Sequence, residues 1–110
     1  MSNNISNQIS IITLGSFPSK EIVLTIQESI EFAETLSIEW IFILYKENEV
    51  KEFINYFNKI KTKKITYKVN FCSLGIAKSM NKGIKMSSMP WILILHSGDY
   101  IIKNKDNYNK

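Results

Sequence analysis

Apolar residues first gather in the β-branched run Ile9-Ser10-Ile11-Ile12-Thr13-Leu14, which stops at Gly15-Ser16-Phe17-Pro18. A run of this kind closed by turn residues predicts a strand and its exit loop. From Ser19, a good N-cap, the apolar positions Ile22, Val23, Ile26, Ile30, Ala33 and Leu36 recur three and four apart, as in a helix with one buried face. Residues 38–45 are nearly all apolar, which fits a strand covered on both faces. Val50, Phe53, Ile54, Phe57 and Ile60 return to helical spacing, with Glu47, Glu49 and Glu52 near the start and Lys59 and Lys61 near the end, an arrangement that suits the helix dipole. Residues 64–71 alternate with period two and predict an edge strand with one solvated face. A third helix is expected over 75–86, with Ile76, Met80 and Ile84 as its apolar stripe, and a short, wholly apolar strand over 91–95 after Pro90. The Lys-, Asn- and Asp-rich residues 103–110 read as a frayed polar tail, leaving a core of about 8–102.

Strand, helix, strand, helix, strand, helix, strand is the alternation of an α/β domain, a mostly parallel four-stranded sheet joined by right-handed crossovers with helices on both faces. In such sheets ligands bind beyond the carboxyl ends of the strands, where the strand order reverses. That directs attention to the loops 15–19, 45–49, 72–75 and 96–100. At 110 residues the chain holds one domain or part of one, and an apolar fraction of 45% excludes a disordered chain.

The net charge of +4 comes from fourteen Lys and no Arg against eight Glu and two Asp. A nucleic-acid surface favours Arg for its bidentate fork, so no nucleic-acid partner is expected. The acids lie early, eight Glu against three Lys through residue 52, and the bases late, eleven Lys against two Asp after it. A basic second half attracts an anionic ligand or a membrane surface, solvated Lys being the plainer alternative. The lone Cys72 has no disulfide or metal-ligand neighbour in sequence, which suits a reducing cytoplasm. No signal-peptide core is present, and the longest apolar run, 40–45, is far short of the ~20 residues of a spanning helix. The expected location is cytoplasmic, at most peripheral at the inner face of the membrane.

Candidate chemistry concentrates in His96-Ser97-Gly98-Asp99. A carboxylate just past a buried strand can hold a divalent cation whose other ligands are phosphate oxygens and water. The competing reading is a plain Gly-Asp turn. His96 is expected as a hydrogen-bonded structural imidazole. Gly83 inside a helix costs ~1 kcal/mol relative to Ala and asks for a reason, such as close approach of a backbone or ligand. Gly15, Ser16 and Ser19 precede a helix N-terminus whose amides can meet an anion. The four glycines, at 15, 75, 83 and 98, form no phosphate-loop fingerprint.

The opening strand 9–13, the second strand 38–43, the block Gly75-Ile76, Met80-Asn81-Lys82-Gly83-Ile84, the strand 91–95 and Ser97-Gly98-Asp99 together resemble family 2 glycosyltransferases of the GT-A fold, especially bacterial enzymes of surface-polysaccharide synthesis. Members commonly read Gly-Ile-Tyr-Asp-Ala-Met-Asn-Lys-Gly-Ile, then an aromatic residue, an apolar strand and Asn-Ser-Gly-Asp, at the same spacing. The resemblance runs from about Ile9 to Ile102 and implies a truncated, Rossmann-like donor-binding half. It implies a nucleotide-diphospho-sugar donor and Mg or Mn as cofactor. Asp99 would be the metal ligand, with Ser97 taking the first position of the family's Asp-x-Asp element. Thr13, Gly15 and Ser16 would lie against the nucleoside, and Asn81 would face the same cleft.

The family's second strand commonly ends in Asp-Gly-Gly-Ser or Asp-Asp-Gly-Ser, where this chain has Leu44-Tyr45-Lys46-Glu47. Base recognition would therefore fall to Glu47 or Glu49. Ala77-Lys78 replaces Tyr-Asp, and His96 replaces Asn. The chain ends eleven residues after Asp99, before the family's acceptor site and general base. The resemblance therefore implies little turnover from these residues alone, no identifiable catalytic base, and either a membrane-associated glycan acceptor or a downstream polypeptide supplying the missing half as partner. It also implies a bare sheet edge beside the fourth strand and a tendency to self-associate. The competing reading is a non-catalytic remnant or binding module that keeps the fold without donor recognition. A receiver-like domain lacks its acidic cluster, with no Asp before position 99. A flavodoxin-like loop would lose an amide donor at Pro18.

Overall fold

The computed structural model describes residues 8–36 and 38–101. The polar tail expected over 103–110 lies outside them. Four strands, β1 (Ile9–Gly15), β2 (Glu39–Leu44), β3 (Thr66–Phe71) and β4 (Trp91–Ile94), alternate with three helices, α1 (Lys20–Leu36), α2 (Val50–Ile60) and α3 (Ile76–Met86). A 3₁₀ turn, Glu47–Glu49, leads into α2. All strand pairs are parallel and the spatial order is β3-β2-β1-β4. The α/β class with a four-stranded parallel sheet is thus as the alternation implies.

Connectivity decides which helix covers which face. The steps from β1 to β2 and from β2 to β3 run in one direction, and the step from β3 back to β4 runs in the other. With right-handed crossovers, that reversal moves the third helix to the opposite face. Accordingly, α1 and α2 cover the face of Ile11, Trp40, Phe42 and Leu44, while α3 lies over Ile12, Leu14, Ile41 and Ile43. β2 is buried along its whole length, as its unbroken apolar run requires. The larger core is aromatic: Phe42, Phe53 and Phe57 lie with ring centres 4.5–5.5 Å apart, and Trp40 stacks on Phe42 at 4.9 Å.

α3 departs from expectation. Of its expected apolar stripe only Met80 packs inward, since Ile76 and Ile84 are 57% and 42% exposed, whereas Ser79 and Gly83 are buried and Met80 and Met86 pack beside them. The sheet is the reason. Ile12 and Ile43 stand up under the helix, and a Cβ on Gly83 would come within 2.7 Å of Ile12 Cγ2. Only small residues let the backbone approach so closely, which supplies the reason for a mid-helix glycine.

β3 is an edge strand, as its alternation predicts. β4 forms the other edge with little cover, and Trp91, Ile92 and Leu93 are exposed, Trp91 by 61%. Beneath α3, at the amino ends of the strands, a polar cluster forms around Glu39, which is 4% exposed. Its carboxylate accepts hydrogen bonds from Ser10 Oγ, Ser88 N and Ser88 Oγ and pairs with Lys68 at 3.1 Å.

Candidate functional site

The order β3-β2-β1-β4 puts the reversal between β1 and β4, so two of the four candidate loops, 15–19 and 96–100, become neighbours at the carboxyl end of the sheet. The β1/β4 ladder continues past the end of β4: Leu95 N–H donates to Ile12 O at 2.8 Å and Ser97 N–H to Leu14 O at 3.1 Å. This brings Ser97 against Gly15, where a Cβ would meet Ser97 Cβ at 2.8 Å and Oγ at 2.9 Å. Any side chain at position 15 would push the two loops apart.

The loop after β4 is fastened to α1 by two hydroxyls in the phase of its buried stripe. Thr25 Oγ1 accepts the Gly98 N–H at 2.8 Å and donates to His96 O at 3.4 Å, while Ser29 Oγ accepts the Ile101 N–H at 3.3 Å. Gly98 N–H also donates to Glu21 O at 3.1 Å. Gly98 has φ +97°, a left-handed conformation natural to glycine, and Asp99 N–H closes the turn onto His96 O at 2.9 Å. Asp99 stands exposed at its tip. His96 corrects the expectation of a hydrogen-bonded structural imidazole: the residue is exposed, and it is the backbone carbonyl that is bonded.

Thr25→Val removes both the acceptor and the donor at a buried position. The expected cost is about 1–3 kcal/mol, with faster amide exchange at Gly98 and Ile101. Unchanged protection of Gly98 would show that Thr25 does not hold the loop.

On the β1 side, Ser16 Oγ donates to Glu49 Oε2 at 2.8 Å and Phe17 N–H to Glu49 Oε1 at 3.2 Å, so the turn before α2 clasps the exit of β1. Ser19 Oγ accepts the Ile22 N–H at 3.2 Å, the N-cap that its residue type suggests. Phe17 turns inward against Phe53 and Tyr56, with ring centres 5.3 and 5.2 Å away.

Of the residues singled out from sequence, Gly15, Ser16, Ser97 and Asp99 share this end of the β1/β4 pair. Thr13 does not present its side chain there, being fully buried with its hydroxyl accepting the Trp40 indole N–H at 2.9 Å. Asn81 lies elsewhere, lining a groove at the exit of β3 with Cys72 and Leu74. Sequence reading missed Glu21, whose Cβ and Cγ approach within 3.8 Å of the Cβ position of Gly98. It also missed the two α1 hydroxyls. Their one sequence signal is that Thr25 and Ser29 fall in phase with Ile22, Ile26 and Ala33.

Among the described residues no group of three or more His, Cys, Asp or Glu is arranged to hold a metal ion. The donor set at this end, Asp99 on its fixed turn with Glu21 beside Gly98, is too small to hold a metal by itself and fits only a cation that arrives with other ligands, such as phosphate oxygens. No helix of the described residues is long and apolar enough to cross a membrane. No family model, curated protein or solved structure matches the chain.

Proposed function

We propose that the chain is a glycosyltransferase-like protein whose β1/β4 crevice binds a nucleotide-diphospho-sugar with Mg or Mn, on the cytoplasmic side and related to proteins that build surface polysaccharides. One observation carries this reading: Gly15 and Ser97 touch at the reversal of strand order, leaving Asp99 exposed on a turn fixed to α1. A bound cation would neutralise charge on the diphosphate as it leaves. Asp99 would supply one carboxylate to that cation, and Gly15 would let the two loops stay close enough to share one ligand. Ser16 would face the nucleoside side of the crevice, with Glu49 holding it in place.

A second reading, a binding module of the same fold that has lost donor recognition, draws on different observations. Leu44, where the family keeps an acid, is buried and offers no acceptor. Both Glu49 oxygens are engaged by the Ser16–Phe17 turn, and the Thr13 hydroxyl is engaged by Trp40.

Calorimetric titration with a panel of nucleotide-sugars in Mn²⁺ separates the two. The first reading expects saturable, metal-dependent binding that Asp99→Asn weakens about tenfold or more, since a tenfold loss is ~1.4 kcal/mol and a charge-assisted contact supplies that. Absence of heat across the panel overturns it in favour of the second.

A further inference from the structure

The side of α3 turned toward β3 carries a row of positive charge that the β1/β4 crevice does not use. Lys78, Lys82 and Lys85 stand at i, i+4 and i+7 of α3 and line a groove of about 420 Å³ together with Cys72, Leu74 and Asn81. At 1.5 Å per residue their stems are spread over about 10 Å of helix, a row of charges rather than a point.

Among the described residues none of the three forms an ion pair. No Asp or Glu occurs between Phe53 and Gly98, and the ion pair formed on this side of the sheet joins Lys68 to Glu39 at the other end of the strands. Lys78 and Lys85 are exposed. Lys82 Nζ is held at the groove by Phe71 O at 2.8 Å and lies 5.2 Å from the Phe71 ring centre. At the Leu74 end, α3 begins at Gly75 with φ +103°, with no side-chain cap and no acid in its first turn. Its first N–H groups add partial positive charge there. The Cys72 thiol is held below its ordinary value by the Leu74 N–H and the Ser79 hydroxyl, with Lys82 and Lys78 adding to the effect. The same field therefore acts on a neighbouring group.

We propose that this groove is a binding site for an oligophosphate, a small ligand carrying two or more linked phosphates, aligned along Lys78, Lys82 and Lys85. Several lysine point charges in line suit a chain of phosphates, and the volume suits a small molecule. The groove has no Arg and no exposed aromatic side chain on which a nucleobase strand could stack. The site is separate from the β1/β4 crevice and does not depend on the reading given for it.

The test is calorimetric titration of the whole chain with inorganic tripolyphosphate at low ionic strength, without added metal. Saturable binding is expected, with orthophosphate at least about tenfold weaker. Lys78→Gln/Lys85→Gln changes two exposed positions, leaves packing untouched, and should weaken tripolyphosphate binding about tenfold or more. Lys51→Gln/Lys59→Gln, on exposed positions of α2 with the same net charge, should bind as the unaltered chain does, and so should Asp99→Asn. Equal affinity of the two double variants overturns the proposal by reducing it to net charge. Without metal the Asp99 carboxylate repels phosphate, so tighter binding by Asp99→Asn overturns it by moving the phosphates to the β1/β4 crevice, an outcome that leaves the nucleotide-sugar reading standing. Absence of saturable binding, or binding confined to anionic phospholipid vesicles or to single-stranded DNA, overturns it as well.

Discussion

Phe53→Ala is expected to lower the free energy of unfolding by about 3–5 kcal/mol, the range for an aromatic side chain deleted from a packed core. Phe53 is fully buried and touches four other rings, those of Phe17, Phe42, Tyr56 and Phe57, at centroid distances of 4.5–6.4 Å. Sheet and helix backbones surround the space, so it cannot collapse fully and part of the cavity remains. A domain of this size is stable by only about 5–15 kcal/mol, so the variant should denature at a much lower urea concentration with an unchanged slope. The effect should also reach the exit of β1. Phe17 leans on Phe53 and belongs to the turn whose N–H is held by Glu49. Faster amide exchange at Phe17 is therefore expected even where the fold persists. A loss below 1 kcal/mol, on the order of a surface change, would mean that the aromatic cluster is not the centre of the core.

Acid should unfold the protein through Glu39. Burial by itself raises the pKa of this carboxyl, but hydrogen bonds from Ser10, the Ser88 N–H, Lys68 and the Ser88 hydroxyl outweigh it and lower the value from 4.5 to about 2. Between these values the unfolded chain binds the proton and the folded chain does not. The contribution is therefore fully present above pH 4.5 and is lost as pH falls toward 2. At 1.36 kcal/mol per unit, it amounts to about 3 kcal/mol. The Lys68 ammonium is partly exposed, so screening makes its share small, and most of the effect belongs to the serine donors. Glu39→Gln should flatten the stability curve between pH 4.5 and 2 and lower stability at neutral pH by up to the same amount. An unchanged acid limb in urea titrations of the variant would place the acid sensitivity elsewhere.

The elements were legible because they are local. Period two over 64–71 and the three-four spacing from Ile22 to Leu36 report backbone geometry directly, and each observed strand and α-helix falls within two residues of its expected bounds. The buried face of α3 was not legible, because its apolar residues Ile76 and Ile84 gave the wrong stripe. What selects the face is the shape of Ile12 and Ile43 beneath it, which only a small residue can meet. Glu39 sits inside an apolar run that reads simply as a covered strand. Its partners lie 29 and 49 residues away, beyond any sequence window.

At the candidate site, Ser97-Gly98-Asp99 stood out by residue type, since glycine and acid at a strand exit are a local signal. Glu49 as the clasp of Ser16, and Thr25 as the anchor of Gly98, depend on contacts made only when distant turns meet.

The sequence by itself determined an α/β domain with a parallel sheet, because side-chain periodicity and the alternation of elements are written along the chain. Tertiary structure alone decided that β4 returns to lie beside β1. That choice rests on hydrogen bonds between strands about eighty residues apart and on the handedness of the crossover, neither of which leaves a local pattern. The same choice joins Gly15 to Ser97, sends α3 to the opposite face, and sets its lysine row over β3.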